Sequence, residues 1–348
     1  MSRLRRFVRK LGVALVSLVA FLVVLELVAR TAEPGPFSLF DRNPYEAHER
    51  LRHVHQPGFE GRWDGTWYEI NALGLRGPEI ASEAAEQELR VVCLGDSCTF
   101  GKGVVDADTW PRQLERMLRE ELPDETVRVA NLGVNGYAGR DYREAFLALG
   151  LELEPDVVVV GYNLNDFPNS VRAVDEAVFR RSGARALLPR GTRDALGRSA
   201  LYRWMRATYY DAQHERDWAN AERFAREAGR DRGDPAVWAA EEESLRALRD
   251  AAHAAGAEIA VFLFPYESQV YRDSFDRTPI ELLTALCGRL EIPFVSLEQE
   301  FRAWAHESDP PRELFLRGDR YHPRPAGYRL VAQRVLALLR EHGWLPVD

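Results

Sequence analysis

Five short apolar runs, Val91 to Leu94, Val127 to Leu132, Val157 to Val160, Ile259 to Phe264 and Phe294 to Leu297, follow one another from residue 89 onward, each separated from the next by helical stretches. That alternation predicts a parallel sheet covered by helices on both faces. The helical period is plain at Trp238, Leu245, Leu248 and Ala252, ended by Gly256, and again at Tyr328, Val331, Val335 and Leu338. Such stripes read as core faces rather than cofactor sites. The chain of 348 residues is long enough to bury a sizeable core, and one main α/β domain with additions is expected.

The additions lie at the start and in the middle. Arg3, Arg5, Arg6, Arg9 and Lys10 precede an apolar stretch from Leu11 to Leu25, which resumes after Glu26 with Leu27, Val28 and Ala29. A positive flank before a nearly spanning apolar segment predicts a single-pass anchor, with a cytoplasmic N-terminus and the rest on the periplasmic or extracellular side of the cell membrane. A cleaved signal peptide is the rival, and the absence of a clean small-x-small site near Arg30 and Thr31 favours retention. We divide the chain into a basic tail and anchor over 1–31, a linker with a small β-rich extension over 32–87, and the main α/β domain over 88–348. Pro34, Pro36 and Pro44 suit the linker, and Asp64-Gly65 favours a hairpin turn. Residues 170–235, rich in Arg and Asp, interrupt the alternation with a helix expected to start at Ser199 and to carry Leu201, Trp204 and Thr208. The segment is too long for a simple loop and reads either as a lid or as a solvated helical insertion.

A formal charge of −8 and the scarcity of basic runs beyond the first ten residues argue against nucleic acid as the main partner. Cys93, Cys98 and Cys287 form no metal-ligand spacing, so neither a disulfide framework nor structural zinc is expected. Cys93 reads as a small buried hydrophobe, while Cys98 is either packing or a reactive thiol. No metal or organic cofactor is implied.

In open parallel sheets ligands bind beyond the carboxyl ends of the strands. After the first run stands Gly95-Asp96-Ser97-Cys98-Thr99-Phe100-Gly101, where a Ser in a Gly-flanked strand-to-helix turn presents its hydroxyl and its N–H together. Ser as a mere helix cap is the plain alternative. The loop fails as a phosphate cradle, because Lys102 is followed by Gly103 instead of Ser or Thr. After the second and third runs come Asn131-Leu132-Gly133-Val134-Asn135-Gly136 and Gly161-Tyr162-Asn163-Leu164-Asn165-Asp166. An oxyanion needs donors at about 3 Å, which the N–H of Ser97, the N–H of Gly136 and the amide of Asn165 can supply. Before the last helix, Asp319-Arg320-Tyr321-His322-Pro323 offers an imidazole and, three residues earlier, a carboxylate to fix its tautomer.

These four blocks, in this order and over residues 88 to 342, resemble the SGNH (GDSL-type) hydrolase family. The resemblance implies a three-layer α/β/α flavodoxin-like fold and hydrolysis or transfer of acyl groups. It implies Ser97 as nucleophile, Asp319 and His322 as its catalytic partners, and Ser97, Gly136 and Asn165 as the oxyanion hole. One departure is Asn163, where many members carry Gly. Asn71-Ala72-Leu73-Gly74-Leu75-Arg76 also looks like a segment that precedes the catalytic domain in many membrane-anchored members. Attack by Ser97, with His322 as base, leads to an acyl-enzyme released to water or to a sugar hydroxyl, so esterase and acyltransferase, acetyl transfer included, both stay open. Export makes an acylated glycan or other ester of the cell envelope the expected substrate. The rivals are a lipase, phospholipase or thioesterase acting on longer acyl chains and a catalytically silent glycan-binding or scaffold module.

Overall fold

The computed structural model describes residues 2–32, 44–166, 199–202, 205 and 235–346, apart from 47, 52, 64, 65, 86, 276, 310, 317, 318 and 320. The chain begins with the helix Ser2–Ala32, whose Arg5–Thr31 portion is long and apolar enough to cross a membrane. An N-terminal signal sequence has the same look. Two antiparallel hairpins follow, β1 (Tyr45–Glu46) with β2 (Val54–His55) and β3 (Glu60–Trp63) with β4 (Thr66–Glu69). Asp64-Gly65, between the paired Trp63 and Thr66, lies outside the described residues, as do Pro34 and Pro36.

The five apolar runs form the expected parallel sheet: β5 (Glu88–Gly95), β6 (Thr126–Gly133), β7 (Val157–Tyr162), β8 (Glu258–Leu263) and β9 (Phe294–Ser296), in the order β6-β5-β7-β8-β9. This is the flavodoxin-like order, in which the winding reverses at the first strand and opens a crevice at the carboxyl ends of β5 and β7. Strand period sorts the side chains between two cores. Val92, Leu94, Val158, Val160, Ile259 and Val261 face the helices Pro235–Ala254 and Thr278–Arg289, meeting Trp238, Leu245, Leu248, Leu283 and Leu286. Val91, Cys93, Val157, Val159 and Phe262 face the helices Trp110–Glu121, Glu298–Ala305 and Pro325–Glu341, meeting Leu114, Leu118, Phe301, Val331 and Val335. Each fully buried Val, Leu or Phe here contributes about 1.5–3 kcal/mol, so the sheet's carboxyl edge is a stiff platform for the turns that leave it.

The extension is packed into this frame. Leu51 and Leu75 belong to the first core, and Phe59, Tyr68 and Ile70 form a small cluster with Phe100, just after the Gly-Asp-Ser turn. Of the 170–235 insertion, residues 200–202 and 205 are helical, and the Ser199 hydroxyl accepts from Tyr202 N at 3.1 Å as the N-cap. Trp204 and Thr208 fall outside the described residues.

Candidate active site

Three neighbouring strands carry glycine side by side at their carboxyl ends: the register pairs Gly95, the last residue of β5, with Gly133, the last of β6, and with Gly161, one residue before the end of β7. A one-turn helix, Ser97–Phe100, lies directly on this row. A Cβ on Gly161 would stand 2.6 Å from Thr99 Oγ1 and 2.9 Å from the Phe262 ring, and one on Gly133 would strike the backbone of Thr99 and Phe100. Only side-chain-free strand ends admit the helix this close to the sheet. Asp96 caps it, accepting from Cys98 N at 2.8 Å, and Ser97 is its first residue. Ser97 is only 7% exposed, because the glycine row draws the helix down and residues 321–322 cover it.

Ser97 Oγ lies 2.7 Å from His322 Nε2, and His322 Nδ1 lies 2.6 Å from Asp319 Oδ2. The loop that brings them there is closed on itself: Leu316 N donates to His322 O at 2.9 Å, Asp319 N to Leu316 O at 2.9 Å, and Phe315 bridges Pro323. Asp319 Oδ1 accepts from Tyr321 N and His322 N at 3.0 and 2.9 Å, so both carboxylate oxygens are held. Burial pushes the Asp319 carboxyl up, yet these bonds and the adjacent imidazole outweigh it and hold the group below the usual aspartate range. An ionised Asp319 accepts Nδ1–H, which leaves Nε2 to take the proton of Ser97. Such an arrangement can deliver an alkoxide-like oxygen to a carbonyl carbon.

Gly136 sits in an exposed turn beyond β6, at φ 81°, with Val134 N donating to Gly95 O at 3.1 Å, which ties this turn to the strand end before Ser97. Asn165 belongs to the turn Leu164–Asp166 after β7, and its side chain lies outside what is described. Asn163, the departure noted in sequence, is fully buried, and its Nδ2 donates to Cys98 Sγ at 3.0 Å. Cys98 in turn donates to Tyr321 O at 3.3 Å. Burial, with Asp96 and Asp319 nearby, pushes that thiol well up, so Cys98 is a packing residue and not a thiolate. All three cysteines are free and buried.

Residues 93–330 match the model of the GDSL-like lipase/acylhydrolase family. The chain belongs to this family. It is therefore a serine ester hydrolase. Among solved structures this GDSL-like acylhydrolase is similar to the acetyl xylan esterase AlAXEase, at 14% identity over 72% of this chain and 100% of that one, with TM-score 0.43. It is also similar to LAE5, an alpha/beta hydrolase enzyme from the metagenome of Lake Arreo, Spain, at 18% identity over 76% and 99% with TM-score 0.45. A single-substitution form of an acetyl xylan esterase from Geobacillus stearothermophilus matches at 17% over 75% and 97%, with TM-score 0.43. No curated protein matches in sequence.

Some of what surrounds the site in this GDSL-like acylhydrolase has no sequence signal. Asp166 is buried and accepts from Tyr142 Oη at 2.6 Å and Asn163 N at 2.7 Å. Burial and the neighbouring Asp96 push its carboxyl well above the ordinary range. An Asp beside an Asn in a turn reads as turn chemistry, and only the fold reveals the Tyr142 partner. The clefts at the β6 edge, lined by Arg112, Arg119 and Glu115, do not include Ser97 or His322. Among the described residues, no group of three or more His, Cys, Asp or Glu is placed to hold a metal ion.

Proposed function

We propose that this esterase acts by two-step acyl transfer through Ser97, His322 and Asp319, on short acyl esters of cell-envelope glycans, from a retained membrane anchor. The observation that carries the mechanism is the continuous chain from Ser97 Oγ through His322 to Asp319, at 2.7 and 2.6 Å. His322 Nε2 takes the Ser97 proton as Oγ bonds to the ester carbonyl carbon. The oxyanion is held by Ser97 N–H, Gly136 N–H and the Asn165 amide, and collapse expels the alcohol, which takes the proton back from His322. Water, or a sugar hydroxyl, then attacks the acyl-enzyme with His322 again as base.

The test is a series of p-nitrophenyl esters of rising chain length, hydrolysed by the full chain in detergent. A specificity constant that falls as the acyl group lengthens past about four carbons supports the short-acyl reading, since a site built for long chains gains about 0.8 kcal/mol per buried CH2. A constant that rises with length overturns it in favour of a lipase or thioesterase. As a separate expectation, Asn165→Ala lowers kcat by about a hundredfold with little change in KM, the usual cost of one oxyanion donor. Unchanged kcat would confine Asn165 to turn structure.

Retention of the anchor is supported by Glu26. Its carboxylate accepts from Ser199 Oγ at 2.8 Å and from Ala200 N and Leu201 N at 3.0 Å each, while Arg30 Nε donates to it at 3.0 Å. The anchor thus completes the N-terminus of the helix that Ser199 begins, a contact a cleaved chain loses. Intact mass of the protein extracted from membranes is expected to include residues 1–31. A mass lacking them overturns the anchor and leaves the esterase reading standing.

A further inference from the structure

The segment Asn71 to Arg76 stands outside the chemistry above, yet it is built with care. Asn71 Oδ1 accepts from Leu73 N and Leu75 N at 3.0 and 2.9 Å, Asn71 Nδ2 donates to Pro78 O at 3.0 Å, and Gly74 closes the turn at φ 79°. This turn lays Arg76 against β6, its N–H 3.3 Å from Asn131 O. The guanidinium then runs inward, and the residue is only 2% exposed. Nη1 donates to Phe100 O at 2.5 Å and Gly101 O at 2.6 Å, and Nη2 donates to Val104 O at 2.6 Å. Its flat face lies 4.7 Å from the centres of both the Tyr68 and the Phe100 rings.

The carbonyls of Phe100 and Gly101 are the end of the helix that starts at Ser97, and that of Val104 belongs to the turn that follows it. With four residues, that helix cannot satisfy its own terminal carbonyls, and a buried unmet carbonyl is costly. The same stretch is tied back to Ser97, because Gly101 N and Lys102 N both donate to Ser97 O, at 3.0 and 2.9 Å. A shift of residues 100–104 is therefore passed directly to the Ser97 backbone.

We propose that Arg76 is a positioning residue of the active site: by clamping the carbonyls of Phe100, Gly101 and Val104 it sets the place of Ser97 against His322. The extension also braces the neighbouring turn, where His53 Nε2 meets Asn135 O at 2.9 Å and Tyr137 Oη donates to His53 O at 2.5 Å. Residues 44–80 are thus a second layer of the site. The proposal rests on Ser97 being the nucleophile.

The test compares the full chain with Arg76→Met and Arg76→Lys, reading kcat and KM on p-nitrophenyl acetate, the rate of Ser97 labelling by a fluorophosphonate, and the melting temperature. Arg76→Met is expected to lower kcat and the labelling rate together by about a hundredfold with KM changed less than about twofold, the scale of an ångström misplacement of a reacting group. Lysine keeps a charge and three donors but not the fork, and is expected to recover about tenfold of that loss. A folded Arg76→Met with wild-type kcat and labelling, whatever its melting temperature, overturns the proposal. Should Arg76→Met not fold, Arg76→Lys decides alone: a labelling rate equal to wild type overturns it, and a fall of about tenfold supports it. Failure of the wild type itself to label at Ser97 overturns the nucleophile reading and this proposal with it.

Discussion

Ser97→Ala is expected to lower turnover of p-nitrophenyl acetate by at least about 10⁴-fold while the protein stays folded. The variant deletes one atom, the oxygen that lies 2.7 Å from His322 Nε2. The Ser97 backbone stays in place, since Gly101 N and Lys102 N bind its carbonyl and Asp96 still caps the next residue. Alanine suits the first turn of a helix, and the lost partner of His322 costs no more than about 1–3 kcal/mol. Kinetics and a circular-dichroism melt of the same preparation check both halves. A folded variant within about tenfold of the wild-type rate would remove Ser97 from the chemistry, because the oxyanion donors alone cannot sustain that rate.

The sheet was legible because parallel strands are covered on both faces and so appear as unbroken apolar runs. Val157 to Val160 needs no partner information to be read as β7. The turns beyond the strands were legible as candidate positions for the same reason that they are turns: Gly, Asn, Asp and Ser cluster where a strand stops. The contacts that make a site of them were not. The segment that ends at Arg76 stands out in sequence only by resemblance, and its role is hidden there, because it depends on a contact with the carbonyl of Phe100, 24 residues further on. The burial of Ser97 is likewise hidden, because it follows from register between strands far apart in the chain. Tyr142, on the helix Gly139–Ala145, and Asp166, in the turn after β7, are joined by tertiary packing that no local spacing encodes.

That register yields the second large effect. Gly133→Ala is expected to destabilise the protein by about 3 kcal/mol, lowering the melting temperature by about 5–10 °C, and to reduce kcat by about a hundredfold in the molecules that remain folded. The added methyl would stand 2.7 Å from the Thr99 carbonyl carbon and 2.9 Å from Phe100 Cα, and closest of all to Phe100 N. Backbone, unlike a flexible side-chain tip, cannot step aside alone. Relief requires lifting the Ser97–Phe100 helix off the sheet, which opens the clamp of Arg76 and draws Ser97 away from His322. Gly288→Ala is the matched control: it lies on the exposed side of the helix Thr278–Arg289 with nothing within 4 Å of the new methyl, and should gain up to about 1 kcal/mol. If Gly133→Ala melts and turns over like the wild type, the helix does not need the close seat that the glycine row provides. If it melts lower but keeps full kcat, the seat matters to the fold while Ser97 is held by the loop of Asp319 and His322 alone.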